Sequence, residues 1–158
     1  MKLSLGYPGR DDEFKLLKSR ESSDPYKNVK KVLSDQEFME IRDYVKNIKI
    51  PDSVYNYILD IVSMTRDHKK LKMGASPRGP LALAHTARAY AFLDGRETVL
   101  PRDIFELSEF VLGHRVSLNS QSHFSGETTN EIIRDILTKV KAPIPVSYTH
   151  LRAHETDR

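Results

Sequence analysis

One arginine, at the start of an alanine-rich segment, is the residue best placed to do chemistry. The stretch KMGASPRGPLALAHTARAYAFLDGRETVLPRD predicts a helix from Pro77 to Asp94, with Ser76 as N-cap and Gly95 as terminator. Arg78 then lies in the first turn, where the helix dipole disfavours a cation by about 0.3–1 kcal/mol. An anion bound there could accept hydrogen bonds from both the guanidinium and the free N–H groups of that turn. The sequence therefore indicates a phosphate near Arg78, or else an ordinary surface arginine paired with a carboxylate.

Other residues with chemical potential form weaker patterns. His150 and His154, followed by Glu155, have the spacing of helical zinc ligands, but no third ligand is evident, so no metal site is expected. The absence of cysteine excludes disulfides and thiolate zinc sites. The sequence contains neither a phosphate loop of the form G-x-x-x-x-G-K-[ST] nor a nucleophile elbow. Arg78 is thus the main candidate.

The composition is that of one domain with a modest core. Hydrophobic residues make up 39% of the 158 residues and charged residues 30%. The net charge of +3 is spread along the chain, so a dedicated nucleic-acid binder is not expected. No apolar run approaches the roughly 18–20 residues that a membrane span needs, and the N-terminus lacks a signal-peptide pattern. We expect a cytoplasmic protein without a membrane span.

Helices are predicted along most of the chain. The first runs over Asp11–Arg20, and the next ones begin at a capping box over Ser34–Glu37, at Pro51 and at Pro101. A second capping box, over Thr128–Glu131, begins the last helix. Two helices carry clear apolar stripes, which predict core positions. These stripes are Val54, Tyr57, Ile58, Ile61 and Val62, and Ile132, Ile133, Ile136, Leu137 and Val140.

The two ends of the chain differ from this helical pattern. Lys2–Leu5 alternates before a turn at Gly6–Gly9 and predicts one short strand with no partner, which indicates that the chain is a fragment. Residues 143–158 have no apolar stripe. They resemble translated adaptor sequence, and we expect a disordered, non-native tail that takes no part in the fold.

Four sequence elements together resemble the C-terminal part of MoxR-family AAA+ ATPases. They are LGYPGRDDE, VLSDQEF, GASPRGPLALAHTARAYAFLDGRETVLPRDI and VLGHRV, and the resemblance covers nearly all of residues 3–142. The GASPR element followed by the alanine-rich helix and DGRETVLPRD is specific. The resemblance implies an all-α fold, a small helical bundle that is the AAA+ lid over residues 10–142. Residues 1–9 would be a short remnant N-terminal strand, the last strand of the AAA+ core with its exit turn.

The same resemblance implies a role for three residues. The arginine of GASPR is the family's sensor-2 residue, which reaches the γ-phosphate of ATP, and Arg78 occupies that position. Gly74 and Ser76 would shape and cap the turn that aims it. The family's phosphate loop and Mg²⁺ ligands precede the part that this chain resembles, so ATP and Mg²⁺ would be held by the missing core. This fragment alone is expected to be inactive as an ATPase.

The resemblance also implies partners. MoxR-like proteins form ring oligomers and act as chaperone-like remodelling factors, so the missing core, neighbouring subunits and an unknown client protein are the expected partners. His85 and Arg88 could line a subunit interface or lie on a solvated face. The alternative function is a free-standing helical module that binds nucleic acid or a protein partner through the cluster Lys69, Lys70 and Lys72, and a second alternative is the lid of another AAA+ branch.

Overall fold

Helices dominate the computed structural model, which describes residues 1–22, 24, 27 and 29–143. The elements in these residues are α1 (Arg10–Ser22), α2 (Asp35–Lys46), α3 (Asp52–Asp67), β1 (Leu71–Met73), α4 (Arg78–Leu93), α5 (Pro101–Leu112), β2 (Ser117–Leu118), α6 (Ser120–Phe124) and α7 (Thr129–Lys139). The predicted all-α fold is confirmed, with the addition of one small two-stranded sheet. Within the described ranges, no helix combines the length and the apolar character needed to cross a bilayer.

The chain divides into two units, Leu3–Tyr44 and a larger unit made of Met1–Lys2 and the chain from Val45 onward. The smaller unit contains α1 and most of α2. The capping box predicted before α2 is confirmed, because the Glu37 amide donates to the Ser34 hydroxyl at 3.1 Å and the Ser34 amide donates to the Glu37 carboxylate at 2.6 Å. No side chain of α2 is buried, and Phe38 is 59% exposed.

The strand predicted at Lys2–Leu5 does not form. Residues 1–9 contain neither helix nor strand, and Leu3 and Leu5 are exposed. A strand needs a neighbouring strand to accept its backbone hydrogen bonds. Among the described residues, the backbone of Lys2–Leu5 has one backbone partner, because the Lys2 amide donates to the carbonyl of Phe110 at 2.8 Å. The assignment of residues 1–9 to an AAA+ core therefore stays a prediction.

The core of the larger unit is formed by α3, α4, α5 and α7. Every residue of the stripe predicted on α3 is buried, and on α7 only Val140 of the predicted stripe is not fully buried. Burial of one such Ile or Leu side chain contributes about 1.5–3 kcal/mol, so these two stripes drive much of the folding. The predicted core positions are confirmed.

Small residues let α4 approach α5 closely. Gly79, Ala87 and Ala91 are buried on α4, and a Cβ added to Gly79 would lie 3.3 Å from a methyl group of Leu112 on α5. The predicted terminator of α4 is also confirmed. Gly95 has φ of +69°, a conformation that favours glycine, and its amide donates to the carbonyl of Phe92 at 2.9 Å.

A short sheet precedes α4. β1 pairs antiparallel with β2, with Leu71 opposite Leu118. Asn119 extends this contact, because its amide donates to the carbonyl of Lys70 at 3.0 Å and its side chain donates to the carbonyl of Lys69 at 2.8 Å. Strands of three and two residues are too short to show alternation in a sequence, which is why they were not predicted. Their effect is to hold the segment that leads into α4.

The predicted tail lies almost entirely outside the described residues. Only Pro143 of residues 143–158 is described. The pattern of His150, His154 and Glu155 falls in the part of the chain that the structure does not describe.

Candidate functional site

The turn before α4 lies directly against the backbone of the last turn of α3. A Cβ added to Gly74 would be 2.5 Å from the Cα of Arg66 and 2.6 Å from the carbonyl oxygen of Thr65. Side chains do not tolerate such distances to backbone atoms, which cannot move aside. Glycine is therefore required at position 74 because two backbones meet there, and any larger residue would push the turn away from α3.

Two side chains of α3 hold the next residue of that turn. The amide of Ala75 donates to the hydroxyl of Thr65 at 2.9 Å, and the carbonyl of Ala75 accepts a hydrogen bond from Nε of Arg66 at 3.0 Å. The Thr65 hydroxyl in turn donates to the carbonyl of Val62 at 2.6 Å. Thr65 and Ala75 are both buried. Both polar backbone groups of Ala75 are thus satisfied by α3, three residues before Arg78.

The start of α4 differs in detail from the expected cap. Pro77 already has helical dihedral angles, with φ of −56° and ψ of −17°, and the carbonyl of Ser76 accepts a hydrogen bond from the Gly79 amide at 2.7 Å. Among the described contacts, the Ser76 hydroxyl makes no hydrogen bond to the helix. The predicted side-chain cap by Ser76 is therefore not formed, because a tight first turn uses the Ser76 carbonyl instead.

Few backbone donors remain free in the first turn of α4. Pro77 and Pro80 have no N–H group, and the Gly79 amide is bonded to Ser76. Within the described residues, the Arg78 amide is the donor of this turn that lacks an acceptor. The expectation of several N–H groups aimed at one anion is thus corrected. Anion binding here would depend mainly on the guanidinium.

The Arg78 side chain is exposed. In the part of the chain that the structure describes, its guanidinium makes neither an ion pair nor a hydrogen bond. The alternative of a surface arginine paired with a neighbouring carboxylate is therefore not observed in this part of the chain. A planar cation with five N–H donors and no protein acceptor is suited to bind phosphate oxygens.

An ion pair between Arg96 and the buried Asp103 holds the loop between α4 and α5. It was not predicted from the sequence. The Asp103 carboxylate is fully buried and accepts hydrogen bonds from both terminal nitrogens of Arg96, at 2.8 and 2.9 Å. Asp103 also accepts the Leu100 amide at 2.8 Å, which supplies half of a capping box although Leu100 itself cannot cap. Hydrogen bonding to Asp103 raises the pKa of Arg96. The acidic residue at the third position of α5 could have predicted that Asp103 accepts a capping hydrogen bond.

Other candidate residues have ordinary partners. Lys70 is paired with Glu127, so the cluster of Lys69, Lys70 and Lys72 is not a continuous free basic patch. Arg88 donates to the hydroxyl of Tyr55 at 3.2 Å, and His85 is exposed on the same helix. Across the described residues, no group of three or more His, Asp or Glu side chains could hold a metal ion.

Comparison with known proteins gives consistent matches. Residues 63–136 match the AAA lid domain family. The chain is 38% identical to the uncharacterized protein YeaC of Bacillus subtilis, over 90% of this chain and 45% of that protein. It is 26% identical to the chaperone MoxR1 of Mycobacterium tuberculosis, over 90% of this chain and 40% of that protein.

A solved structure shares both fold and sequence with this chain. The crystal structure of a candidate ATPase from Cytophaga hutchinsonii matches 87% of this chain and 44% of that protein, with a TM-score of 0.78 and 31% identity. The chain thus spans less than half the length of these relatives. The matched lid region, residues 63–136, contains the last turn of α3, Gly74, Arg78 and the Arg96–Asp103 pair.

Proposed function

Since this chain contains the AAA lid domain of a MoxR-like protein, we propose that it is the lid that closes over ATP and contributes Arg78 to the phosphates. The lid match and the relatives named as a chaperone and a candidate ATPase support this proposal. The whole protein is then an ATP-hydrolysing, chaperone-like remodelling factor of the cytoplasm. It works as a ring oligomer and acts on a client protein.

The single observation that carries the proposal is the exposed guanidinium of Arg78, without a partner among the described residues, at the start of a helix in the matched lid region. ATP bound on a phosphate-loop core with Mg²⁺ supplies a γ-phosphoryl group whose oxygens gain charge during transfer. Arg78 donates hydrogen bonds to those oxygens when the lid is closed. Gly74 keeps the turn close to α3, and Ser76 lies beside the phosphate.

The chemistry of the described residues fits one half of such a site. Arg78 can neutralise phosphate charge and fix its orientation through the planar fork of its N–H groups. Mg²⁺ prefers oxygen ligands from carboxylates and phosphates, and the described residues contain no suitable cluster of carboxylates. We therefore assign Mg²⁺ and the attacking water to the core and the phosphate contact to the lid.

The test is Arg78→Ala in a polypeptide in which a phosphate-loop AAA+ core precedes this chain. We expect ATP turnover to fall at least about tenfold, which corresponds to about 1.4 kcal/mol in the barrier. Arg78→Lys should recover only part of the rate, because a lysine cannot make the planar two-point contact. Lys141→Ala removes another exposed cation, after α7, and should leave turnover unchanged.

Folding is measured beside turnover. The Arg78 side chain is exposed, and in the described part of the chain it makes neither a hydrogen bond nor an ion pair, so its removal should not alter urea unfolding. If Arg78→Ala hydrolyses ATP as fast as the wild type, Arg78 has no part in the mechanism. Equal losses in Arg78→Ala and Lys141→Ala would show a general charge effect instead.

A further inference from the structure

The segment that carries Arg78 is hydrogen-bonded to α3 through the backbone of Ala75. Its two polar backbone groups are held by the consecutive side chains of Thr65 and Arg66, which are ten and nine positions away in sequence. The N–H of Ala75 is buried with the Thr65 hydroxyl as its acceptor. From these contacts we propose that Thr65 and Arg66 are positioning residues that aim Arg78, an inference that rests on the proposed function.

The chain between this attachment and Arg78 has little rotational freedom. Pro77 has its φ angle fixed by its ring, and the hydrogen bond from the Gly79 amide to the Ser76 carbonyl, at 2.7 Å, closes the first turn. Gly74 on the other side is in direct contact with the α3 backbone. A displacement of Ala75 is therefore passed on to Arg78 rather than absorbed by the residues between them.

The hydrogen bonds that these two side chains make to Ala75 serve the turn rather than α3 itself. The Thr65 hydroxyl bonds back to the carbonyl of Val62, a contact that is neutral or slightly unfavourable for a helix. Arg66 is exposed, yet its Nε donates to the neutral carbonyl of Ala75 rather than to a carboxylate. Both residues are therefore better explained by the position of the turn than by the stability of their own helix.

The first measurement uses this chain alone and does not depend on ATP. Thr65→Val keeps the side-chain shape but removes the acceptor for the Ala75 amide, and Thr65→Ser restores it. We expect amide hydrogen exchange at Ala75 to accelerate at least about tenfold in Thr65→Val and to return to near wild-type in Thr65→Ser. The amide of Ile133 in α7 should keep its protection. Unchanged exchange at Ala75 would overturn the inference.

The second measurement is ATP turnover in the polypeptide that joins a phosphate-loop core to this chain. A misplaced arginine should lower kcat about tenfold in Thr65→Val with a smaller change in KM, because the contact of Arg78 with the phosphate strengthens as charge develops during transfer. Thr65→Ser should recover the rate. Thr86→Val is the matched control, since its hydroxyl also bonds to a backbone carbonyl, that of Ala82, but is not linked to the turn.

A double substitution separates positioning from stability. If Thr65 acts through Arg78, then Thr65→Val should cause no further loss of kcat once Arg78 is alanine. An undiminished loss in the Arg78→Ala background would mean a general structural effect and would overturn the inference while the proposed function stands. If Arg78→Ala alone leaves turnover unchanged, the proposed function is wrong and the positioning role falls with it.

Arg66 keeps the inference testable if Thr65→Val does not fold. Arg66 is exposed, so Arg66→Ala removes the hydrogen bond to the Ala75 carbonyl and should leave the core intact. We expect a smaller loss of kcat, about threefold, which also disappears in the Arg78→Ala background. A turnover equal to that of wild type would exclude Arg66 from the positioning role.

Discussion

The buried carboxylate of Asp103 lies in the fork of the Arg96 guanidinium, with N–O distances of 2.8 and 2.9 Å. Arg96 also donates to the carbonyl of Thr98 at 3.0 Å and to Asp94 at 2.7 Å. One side chain therefore connects the end of α4, the loop and the start of α5. A charge buried this way is stable only while its partner remains.

Arg96→Ala is expected to lower the free energy of unfolding by about 3 kcal/mol, because it leaves the Asp103 carboxylate buried without its cation. Urea unfolding measures the loss. Arg102→Ala is the comparison, since Arg102 is an exposed cation that lies 3.0 Å from Asp94 and no nearer than 3.8 Å to Asp103, and its loss should change stability by less than about 1 kcal/mol. Similar losses in the two variants would contradict the importance of the buried pair.

Gly74→Ala is expected to destabilise the chain by about 1–3 kcal/mol, because the added methyl group would overlap the backbone of Arg66. Its equilibrium unfolding in urea is compared with that of Gly9→Ala. A Cβ at Gly9 has only one neighbour within 4 Å, a carboxylate oxygen of Asp12 at 3.9 Å, so that substitution should be nearly neutral. A neutral Gly74→Ala would mean that the turn can move away from α3 at no cost.

Ile61→Ala should lower stability by about 2–5 kcal/mol, because Ile61 is completely buried and its removal leaves a cavity. Leu59→Ala on the same helix is the comparison, since Leu59 is 55% exposed and its loss should have a far smaller effect. Thermal or urea unfolding of both variants checks the assignment of the core face of α3. A larger loss of stability in Leu59→Ala than in Ile61→Ala would mean that the core face of α3 is wrongly assigned.

The pH dependence of stability should reveal the capping box of α7. Hydrogen bonds from the amide and hydroxyl of Thr128 lower the pKa of Glu131 from its ordinary 4.5. A lowered pKa in the folded state stabilises above the ordinary pKa, and this contribution is lost as pH falls through the lowered value. The stability difference between wild type and Glu131→Gln should therefore shrink as the pH falls from just above 4.5 through the lowered pKa of Glu131. A difference independent of pH would contradict the role of the Glu131 charge.

The helices and most of the core were predictable because their signals are local. Capping boxes at Ser34 and Thr128 place both partners within one turn, and the stripes of α3 and α7 repeat with the helical period. The strand at Lys2–Leu5 was predicted wrongly because alternation alone does not supply the second strand that a ladder needs. At Lys2–Leu5 the alternating sequence favours a strand, but the described residues supply no second strand to pair with it.

The support of the candidate site was not predictable from local signals. The hydrogen bonds between Ala75 and the side chains of Thr65 and Arg66 cross a chain reversal that contains β1, and no local sequence pattern predicts them. The position of Arg78 in the first turn of α4 was predicted, but the number of free amides beside it was overestimated. Two prolines and one internal hydrogen bond leave that turn with few donors.

Position 74 has no room even for a methyl group. The turn from Gly74 to Arg78 can therefore be moved to another protein only together with the helix surface that it contacts. A protein engineer who copied only the five residues from Gly74 to Arg78 onto another helical scaffold would lose the surface against which they are moulded. A transplanted segment would also need Thr65 and Arg66, because these residues belong to the helix end against which the turn packs. Sequence drift at either side of this junction is expected to require compensation at the other.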